Sequence, residues 1–289
     1  MKYTLLYILS FCLLVAGCTR GLSEVPEGTG SGNWLPALTR AAKGTKATIA
    51  GFSSEKADKA MFSQDVICDN EKDNTWKWEN TSFTPPSLDE IALLTASIPR
   101  INMENATTTL YQSKLSSYSN GLQLGFAPAK SKAVNVKHCL AQLDLDCEGD
   151  YTLKNNNITL YLAPIATVDF RKATIESVDY KSTYSQSLTN SRSVVLNILP
   201  QTFKEGTPLF QYKAGNTQYT YYLERDLEVG TNQRLKVRIS QGEEDEEPIS
   251  GGGGGGDDKP DPPATVKISV TTSTITEWIT GSGSVVPVK

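Results

Sequence analysis

Residues capable of acid–base or nucleophilic chemistry are sparse in this chain of 289 residues. The sequence has one histidine, His138, which shares a predicted strand face with Val136 and Leu140. A catalytic triad would need this histidine beside a nucleophile in a cleft, and no nucleophile elbow or phosphate-binding loop is present. A site built from several histidines is excluded by their number. We therefore interpret His138 as a core or subsurface side chain with satisfied hydrogen bonds, and expect no enzyme, cofactor or metal.

Two alternatives remain for acidic and aromatic side chains. A pair of carboxylates could hydrolyse a glycosidic bond, because such pairs are defined by their separation in space. Trp76 and Trp78 alternate along one strand face, where exposed indoles could stack on sugars. Buried indoles would simply belong to a core, and we favour this interpretation because aromatic residues dominate core burial.

One cysteine has the setting of a lipid attachment site. An apolar run from Tyr3 to Ala16 follows the basic Lys2 and is too short to span a membrane as a helix. Small residues then precede Cys18, as in the signal peptides of bacterial lipoproteins. We predict a signal peptide at residues 1–17 and a diacylglyceryl group on the Cys18 sulfur. The alternative is an ordinary signal peptide followed by a chance cysteine.

The other cysteines predict little chemistry. Cys12 leaves with the signal peptide, so Cys68, Cys139 and Cys147 remain, and their spacing matches no zinc site. An odd number allows at most one internal disulfide. We expect buried thiols, or one bridge between Cys139 and Cys147.

Composition and charge narrow the class of protein further. The net charge is -4 and no basic stretch is present, which argues against a nucleic-acid partner. Hydrophobic residues make up 38% of the chain, enough for real cores, and the length suits two domains.

Short apolar runs separated by Asn, Gly, Ser and Pro predict an all-β protein from Lys46 onward. Residues 87–90 have the form of a capping box and predict one short helix. The inward-facing residues fall on even-numbered positions at 134–140 and on odd-numbered positions at 143–147. This change predicts a β-bulge near Ala141. Gly230 predicts a turn between two late strands.

The C-terminal part of the chain is divided by a change in composition. Residues 241–263 carry an acidic run, six consecutive glycines and prolines, so we predict an unfolded linker. Beyond it, Val266, Ile268, Val270 and Trp278 have the same parity in one long predicted strand. This strand could be the last strand of its own domain, or it could add to the sheet of another chain.

Several segments, in order, resemble the fimbrillin family of type V pilus subunits and fimbrillin-like lipoproteins. The resemblance is carried by the lipidation motif, residues 121–127, the histidine strand at 133–145, residues 195–200, residues 219–230 and the Ile275–Trp278 ending. It implies two tandem transthyretin-like β-sandwich domains, placed at residues 41–130 and 131–240.

The resemblance also implies a maturation pathway and partners. A lipidated tether and removable strand at residues 18–40 would be cut off between Arg40 and Ala41, whereas a cut at Arg20 would remove almost nothing. Residues 264–289 would then act as a donor strand for other pilin subunits. The implied location is the outer membrane and the cell-surface fimbrium, with a host protein or glycan as a possible further partner. The alternative function is a glycan-binding surface lipoprotein that uses Trp76 and Trp78.

Overall fold

The computed structural model describes residues 34–149, 157–177, 182–187, 193–214, 217–223, 226–241 and 266–278. Strands dominate these residues and helices are few, so the predicted all-β class is confirmed. The strands are β1 (Ala37–Leu38), β2 (Lys46–Phe52), β3 (Phe62–Asn70), β4 (Thr75–Trp78), β5 (Leu93–Ile98), β6 (Thr107–Tyr111), β7 (Gln123–Pro128), β8 (Ala133–Val134), β9 (Lys137–His138), β10 (Ala141–Gly149), β11 (Asn157–Leu162), β12 (Ile165–Asp169), β13 (Thr174–Ser177), β14 (Ser182–Ser187), β15 (Ser193–Ile198), β16 (Pro208–Ala214), β17 (Thr217–Tyr222), β18 (Thr231–Gln241) and β19 (Val266–Glu277).

The chain divides into two compact units. The N-terminal unit comprises Met1–Thr108, Leu122–Lys137 and Asp169–Thr174. The C-terminal unit comprises Thr109–Gly121, His138–Val168 and Ile175–Lys289. Strands β13, β12 and β6 form a separate three-stranded sheet, in that order.

The N-terminal unit is built around the sheet β4–β3–β2–β5–β7–β9. Strands β2, β3 and β5 pair antiparallel, and β2 is buried on both faces after its first residue. One face contributes Ile49 and Leu94, both fully buried, to a hydrophobic cluster that includes residues from β3, β4 and β8. Gly125 on β7 allows close approach of the chain, because a Cβ there would lie 2.1 Å from the carbonyl oxygen of Asn135.

The C-terminal unit has two four-stranded sheets, of order β15–β10–β18–β19 and β14–β11–β16–β17. Alternate residues of both sheets enter one hydrophobic cluster, in which Leu143, Leu160, Tyr212 and Leu235 are fully buried. Burying both inner faces in this way gives a β-sandwich. Strand β10 pairs antiparallel with β15 and parallel with β18.

Three local expectations can be compared with the described structure. The predicted helix at residues 87–90 is wrong: the segment is a turn in which the amide of Glu90 donates to the carbonyl of Ser87 at 3.0 Å. The parity change near Ala141 is real, but it is a break between β9 and β10, not a bulge within one strand. The turn at Gly230 is confirmed, with φ at 71°.

The helices of the structure are short. Two 3₁₀ helices span Gln112–Ser117 and Ala129–Ser131. Among the described residues, no helix has the length and apolar composition needed to span a membrane.

Candidate functional site: the two terminal strands

The first described strand of the chain is docked into the core of the N-terminal unit. Strand β1 pairs parallel with β8, with Ala37 opposite Ala133 and Leu38 opposite Val134. The side chain of Leu38 is fully buried and belongs to the same cluster as Val134 and Val136. Alternation explains this placement, because Pro36 and Leu38 are both buried and have the same parity.

Several hydrogen bonds attach residues 34–40, here called the N-terminal segment. The amide of Ala37 donates to the carbonyl of Lys132 at 2.9 Å. The amide of Val136 donates to the Thr39 hydroxyl at 2.9 Å, and the Asn74 side chain donates to the carbonyl of Leu38 at 2.7 Å. The Trp34 indole donates to the carbonyl of Pro86 at 2.8 Å. The segment is therefore a strand of the unit, although it has few bonds of its own.

Aromatic rings surround the start of this segment. Trp34 packs edge-on against Phe62, with ring centroids 6.0 Å apart. Trp78 contacts Phe62 and Phe83, at centroid distances of 6.2 and 5.0 Å. Trp76 is only 8% exposed. Trp76 belongs to the core, as predicted, and Trp78 is half-buried and packs against the same cluster.

The predicted cleavage position lies at the end of the docked segment. Arg40 is exposed in a loop, where its Nε donates to the carbonyl of Glu71 at 3.1 Å. The carbonyl of Ala41 accepts a hydrogen bond from the buried thiol of Cys68 at 3.2 Å. Burial is the main cause that raises the pKa of the Cys68 thiol, so this group stays protonated as a donor. The peptide between Arg40 and Ala41 thus lies between a buried strand and a hydrogen-bonded residue.

At the other end of the chain, β19 pairs antiparallel with β18 of its own unit. The register runs from Thr231 opposite Glu277 to Gln241 opposite Val266. It shifts between Arg234 and Leu235, so the predicted alternation from Val266 to Trp278 is interrupted at this point. In this structure β19 is the edge strand of its home sheet, which corresponds to the first of the two predicted alternatives.

Trp278, which follows β19, makes contacts through both its indole ring and its backbone amide. The Trp278 indole stacks on the His138 imidazole, with centroids 3.9 Å apart and an interplanar angle of 7°. The Trp278 amide donates to the carbonyl of Gly230 at 2.7 Å. His138 is buried, as predicted, but its Nδ1 has no hydrogen-bond partner, so the expectation of satisfied hydrogen bonds is wrong. Burial lowers the pKa of His138 to about 4, which keeps the ring neutral near pH 7.

The remaining predicted site residues can be located as follows. Cys18 and Arg20 lie outside the described residues, and for Val266, Ile268 and Val270 the structure describes the backbone register. Cys139 is buried and is not in a disulfide, so the alternative Cys139–Cys147 bridge is not formed. In the described part of the chain, no cluster of three or more His, Cys, Asp or Glu side chains is suited to hold a metal ion.

Two residues that shape these sites were not predicted from the sequence. Asn74 holds the carbonyl of Leu38 and has a left-handed backbone, with φ at 49°. Gly121 lies beside Trp278 and has φ at 77°. The Asn120–Gly121 dipeptide is a turn signal in the sequence, but a turn signal does not reveal which ring packs against it.

The comparisons with known proteins define the class of fold. A scan of known protein families finds no match, and no curated protein matches the sequence. A solved structure from Bacteroides uniformis, provisionally described as a cell adhesion protein, is similar with a TM-score of 0.57 and 12% identity, over 86% of this chain and 99% of that one. A second such protein, from Bacteroides ovatus, has a TM-score of 0.52 and 11% identity, over 86% and 91% of the two chains. The chain therefore has the all-β fold of these bacterial proteins.

A weaker similarity is found to one further solved structure. A fimbrilin from Porphyromonas gingivalis aligns over 90% of this chain and 95% of its own, with 9% identity and a TM-score of 0.41. Neither of the two Bacteroides structures is described as an enzyme.

Proposed function

We propose that this chain is the lipoprotein precursor of a structural subunit of a type V pilus, and that the mature subunit serves cell adhesion. The carrying observation is that a short strand, β1, is inserted in the N-terminal core directly before an exposed arginine. A precursor strand that can be removed by one cut is what assembly by strand exchange requires. The provisional adhesion role of the similar Bacteroides proteins supports the same function.

Cleavage after Arg40 would convert a filled groove into an acceptor site. Loss of the N-terminal segment uncovers the hydrophobic surface around Val134 and Val136 that Leu38 now covers. It also frees the amide of Val136 and the carbonyl of Lys132, both of which are bonded to the segment. Exposed apolar surface next to unpaired backbone groups favours the addition of another strand.

The donor in this proposal is the C-terminal strand of another subunit. Strand β19 has 12 residues, which is longer than the usual strand, and it lies at a sheet edge. Val266, Ile268 and Val270 recur at every second position, as a strand entering a groove with side-chain pockets requires. The linker at residues 241–263 would give this strand the reach to leave its own sheet.

The same proposal fixes the location and partners of the chain. The precursor is held at the outer membrane by lipid on Cys18, and the cut at Arg40 separates the mature subunit from this anchor. The mature subunit then joins other pilin subunits in a cell-surface fimbrium. A host protein or glycan is the expected target of adhesion.

The test is to treat the purified full-length precursor with an arginine-specific protease and to analyse it, unboiled, on a denaturing gel. We expect cleavage between Arg40 and Ala41, identified by N-terminal sequencing, and a ladder of SDS-resistant oligomers. An Arg40→Lys variant keeps the charge but is not a substrate of this protease, so it should stay monomeric. Trypsin, which also cuts after lysine, should restore the ladder in that variant.

An Arg20→Lys variant is the matched control, because it removes the other predicted cleavage position and should form the ladder normally. A precursor that is cut after Arg40 and remains monomeric would refute strand exchange. Loss of the ladder on deletion of residues 264–289 would identify those residues as the donor, whereas a persistent ladder would exclude them.

A further inference from the structure

The end of β19 is fastened by contacts that differ from the rest of the strand. Along β19, pairing with β18 continues from Val266 to Thr272, and then the register shifts beside Arg234. Only the short ladder from Thr274 to Glu277 lies between this irregularity and Trp278. A bulge disrupts the ladder locally, so this short ladder is separated from the longer pairing that precedes it. The attachment of this end of β19 therefore depends on the contacts of Trp278.

The indole of Trp278 lies in a site shaped for a flat ring. It stacks on His138 with a centroid separation of 3.9 Å and an interplanar angle of 7°. On another side it meets Gly121, where a Cβ atom would lie 2.4 Å from Cη2 and 2.6 Å from Cζ2 of the indole. Real Cβ atoms do not approach carbon atoms so closely, so any side chain at position 121 would displace the ring.

Two backbone conformations favour glycine at the edges of this site. Gly121 has φ at 77° and Gly230 has φ at 71°, both in the left-handed region. The carbonyl of Gly230 accepts the Trp278 amide at 2.7 Å, while its own amide donates to the carbonyl of Leu140 at 2.9 Å. Backbone and ring of Trp278 are therefore held together, by residues from three separate parts of the C-terminal unit.

His138 suits the role of a stacking surface. It is 6% exposed, and its Nδ1 has no hydrogen-bond partner in the described structure. A buried neutral imidazole stacked on an indole is a favourable aromatic pair. The otherwise unexplained burial of this polar ring is accounted for if its function is to contact Trp278.

We infer that Gly121 and His138 form a socket for the indole of Trp278, and that occupancy of this socket holds β19 on its own sheet. The significance of the socket rests on the proposed strand exchange, because it would keep the donor strand docked until exchange begins. The socket itself is a property of the single chain, so it can be tested without assembly.

The experiment is hydrogen exchange, followed by mass spectrometry, on the full-length uncut protein. In a Trp278→Ala variant we expect the amides of β19 to exchange at least about tenfold faster, because the strand opens locally when its fastening is lost. The amides of β10, in the interior of the same sheet, should keep their wild-type rates. A Gly121→Ala variant should have the same effect, since the added methyl group expels the indole.

Gly206→Ala is the matched control for the second variant. Gly206 also has a left-handed backbone, with φ at 79°, but a Cβ there would meet nothing within 4 Å. This variant carries the same backbone cost without touching a ring, so β19 should exchange as in the wild type. Faster exchange in β10 and β19 alike, in the Trp278→Ala variant, would show general destabilisation and overturn the inference. Unchanged exchange of β19 would also overturn it.

The outcomes separate this inference from the proposed function. If the wild-type precursor forms the protease-dependent ladder but β19 exchange is unchanged in Trp278→Ala, the pilin function is supported and the socket is refuted. Faster β19 exchange in that variant, combined with no ladder from the wild type, establishes the socket and refutes strand exchange.

Discussion

Replacement of Leu38 by alanine tests whether β1 is an integral but releasable strand. Leu38 is fully buried in the hydrophobic cluster of the N-terminal unit. Truncating a buried leucine to alanine costs about 2–5 kcal/mol, from lost burial and from the cavity left behind. We take about 3 kcal/mol, which corresponds to a melting temperature lower by roughly 10 °C for a unit of this size.

The same substitution should accelerate cleavage after Arg40. Arg40 is exposed, but a protease must also bind the residues before it, and Leu38 is buried with its carbonyl bonded to Asn74. Cleavage therefore requires the segment to lift from its groove. A loss of about 3 kcal/mol of docking energy raises the population of the lifted segment by roughly 100-fold. The assay is the initial rate of cleavage by an arginine-specific protease at a temperature well below melting.

Leu94→Ala is the matched control for this prediction. Leu94 is also a fully buried leucine of the same cluster, but it lies on β5 in the interior of the sheet. It should lower the melting temperature by a similar amount and leave cleavage after Arg40 nearly unchanged. Equal cleavage rates for Leu38→Ala and wild type would refute the reasoning that docking of β1 limits access to the cut.

Three further outcomes are expected. Burial lowers the pKa of His138 from the ordinary 6.5 to about 4, so the neutral ring contributes fully to stability above about pH 6.5 and this contribution is lost as the pH falls toward 4. The free energy of unfolding should fall by about 2 kcal/mol over this range, after allowance for solvent screening. Urea titrations at several pH values should show a smaller pH-dependent fall in the His138→Phe variant. Burial strongly raises the pKa of the Cys139 thiol, so an alkylating reagent at pH 8 should label Cys139 only after unfolding, as judged by mass spectrometry of its peptide. Gly125→Ala should destabilise the N-terminal unit by about 2–3 kcal/mol in thermal melts, because its Cβ would meet the carbonyl oxygen of Asn135 at 2.1 Å.

Alternation and turn residues were sufficient to predict the class of fold and several strands. The parity change between residues 134–140 and 143–147 reported a real event, because β9 ends at His138 and β10 begins at Ala141. The sequence could not reveal whether the chain bulges or leaves one strand and begins another, since both change the parity in the same way.

Contacts between distant segments explain what the sequence could not predict. The capping-box pattern at residues 87–90 lacks a following apolar face of helical period, and the chain enters β5 at Leu93. Pairing of β10 with β18 joins residues about ninety positions apart, and this pairing is parallel. Stacking of Trp278 on His138 depends on the same long-range arrangement, so neither ring indicates its partner by local spacing.

The two terminal strands differ in how firmly they are attached, and this difference bears on the order of events in assembly. Strand β1 has two residues in register and one fully buried leucine, whereas β19 has 12 residues, of which all but Ser273 pair with β18. In the proposed assembly, a cut at Arg40 would therefore free a strand with few backbone bonds, whereas a donor would have to give up an extensive pairing in its own sheet. If a donor strand has to leave its own sheet before it enters a new groove, release of β19 would be the barrier to the proposed exchange. The fastening at Trp278 would then set how often a donor becomes available.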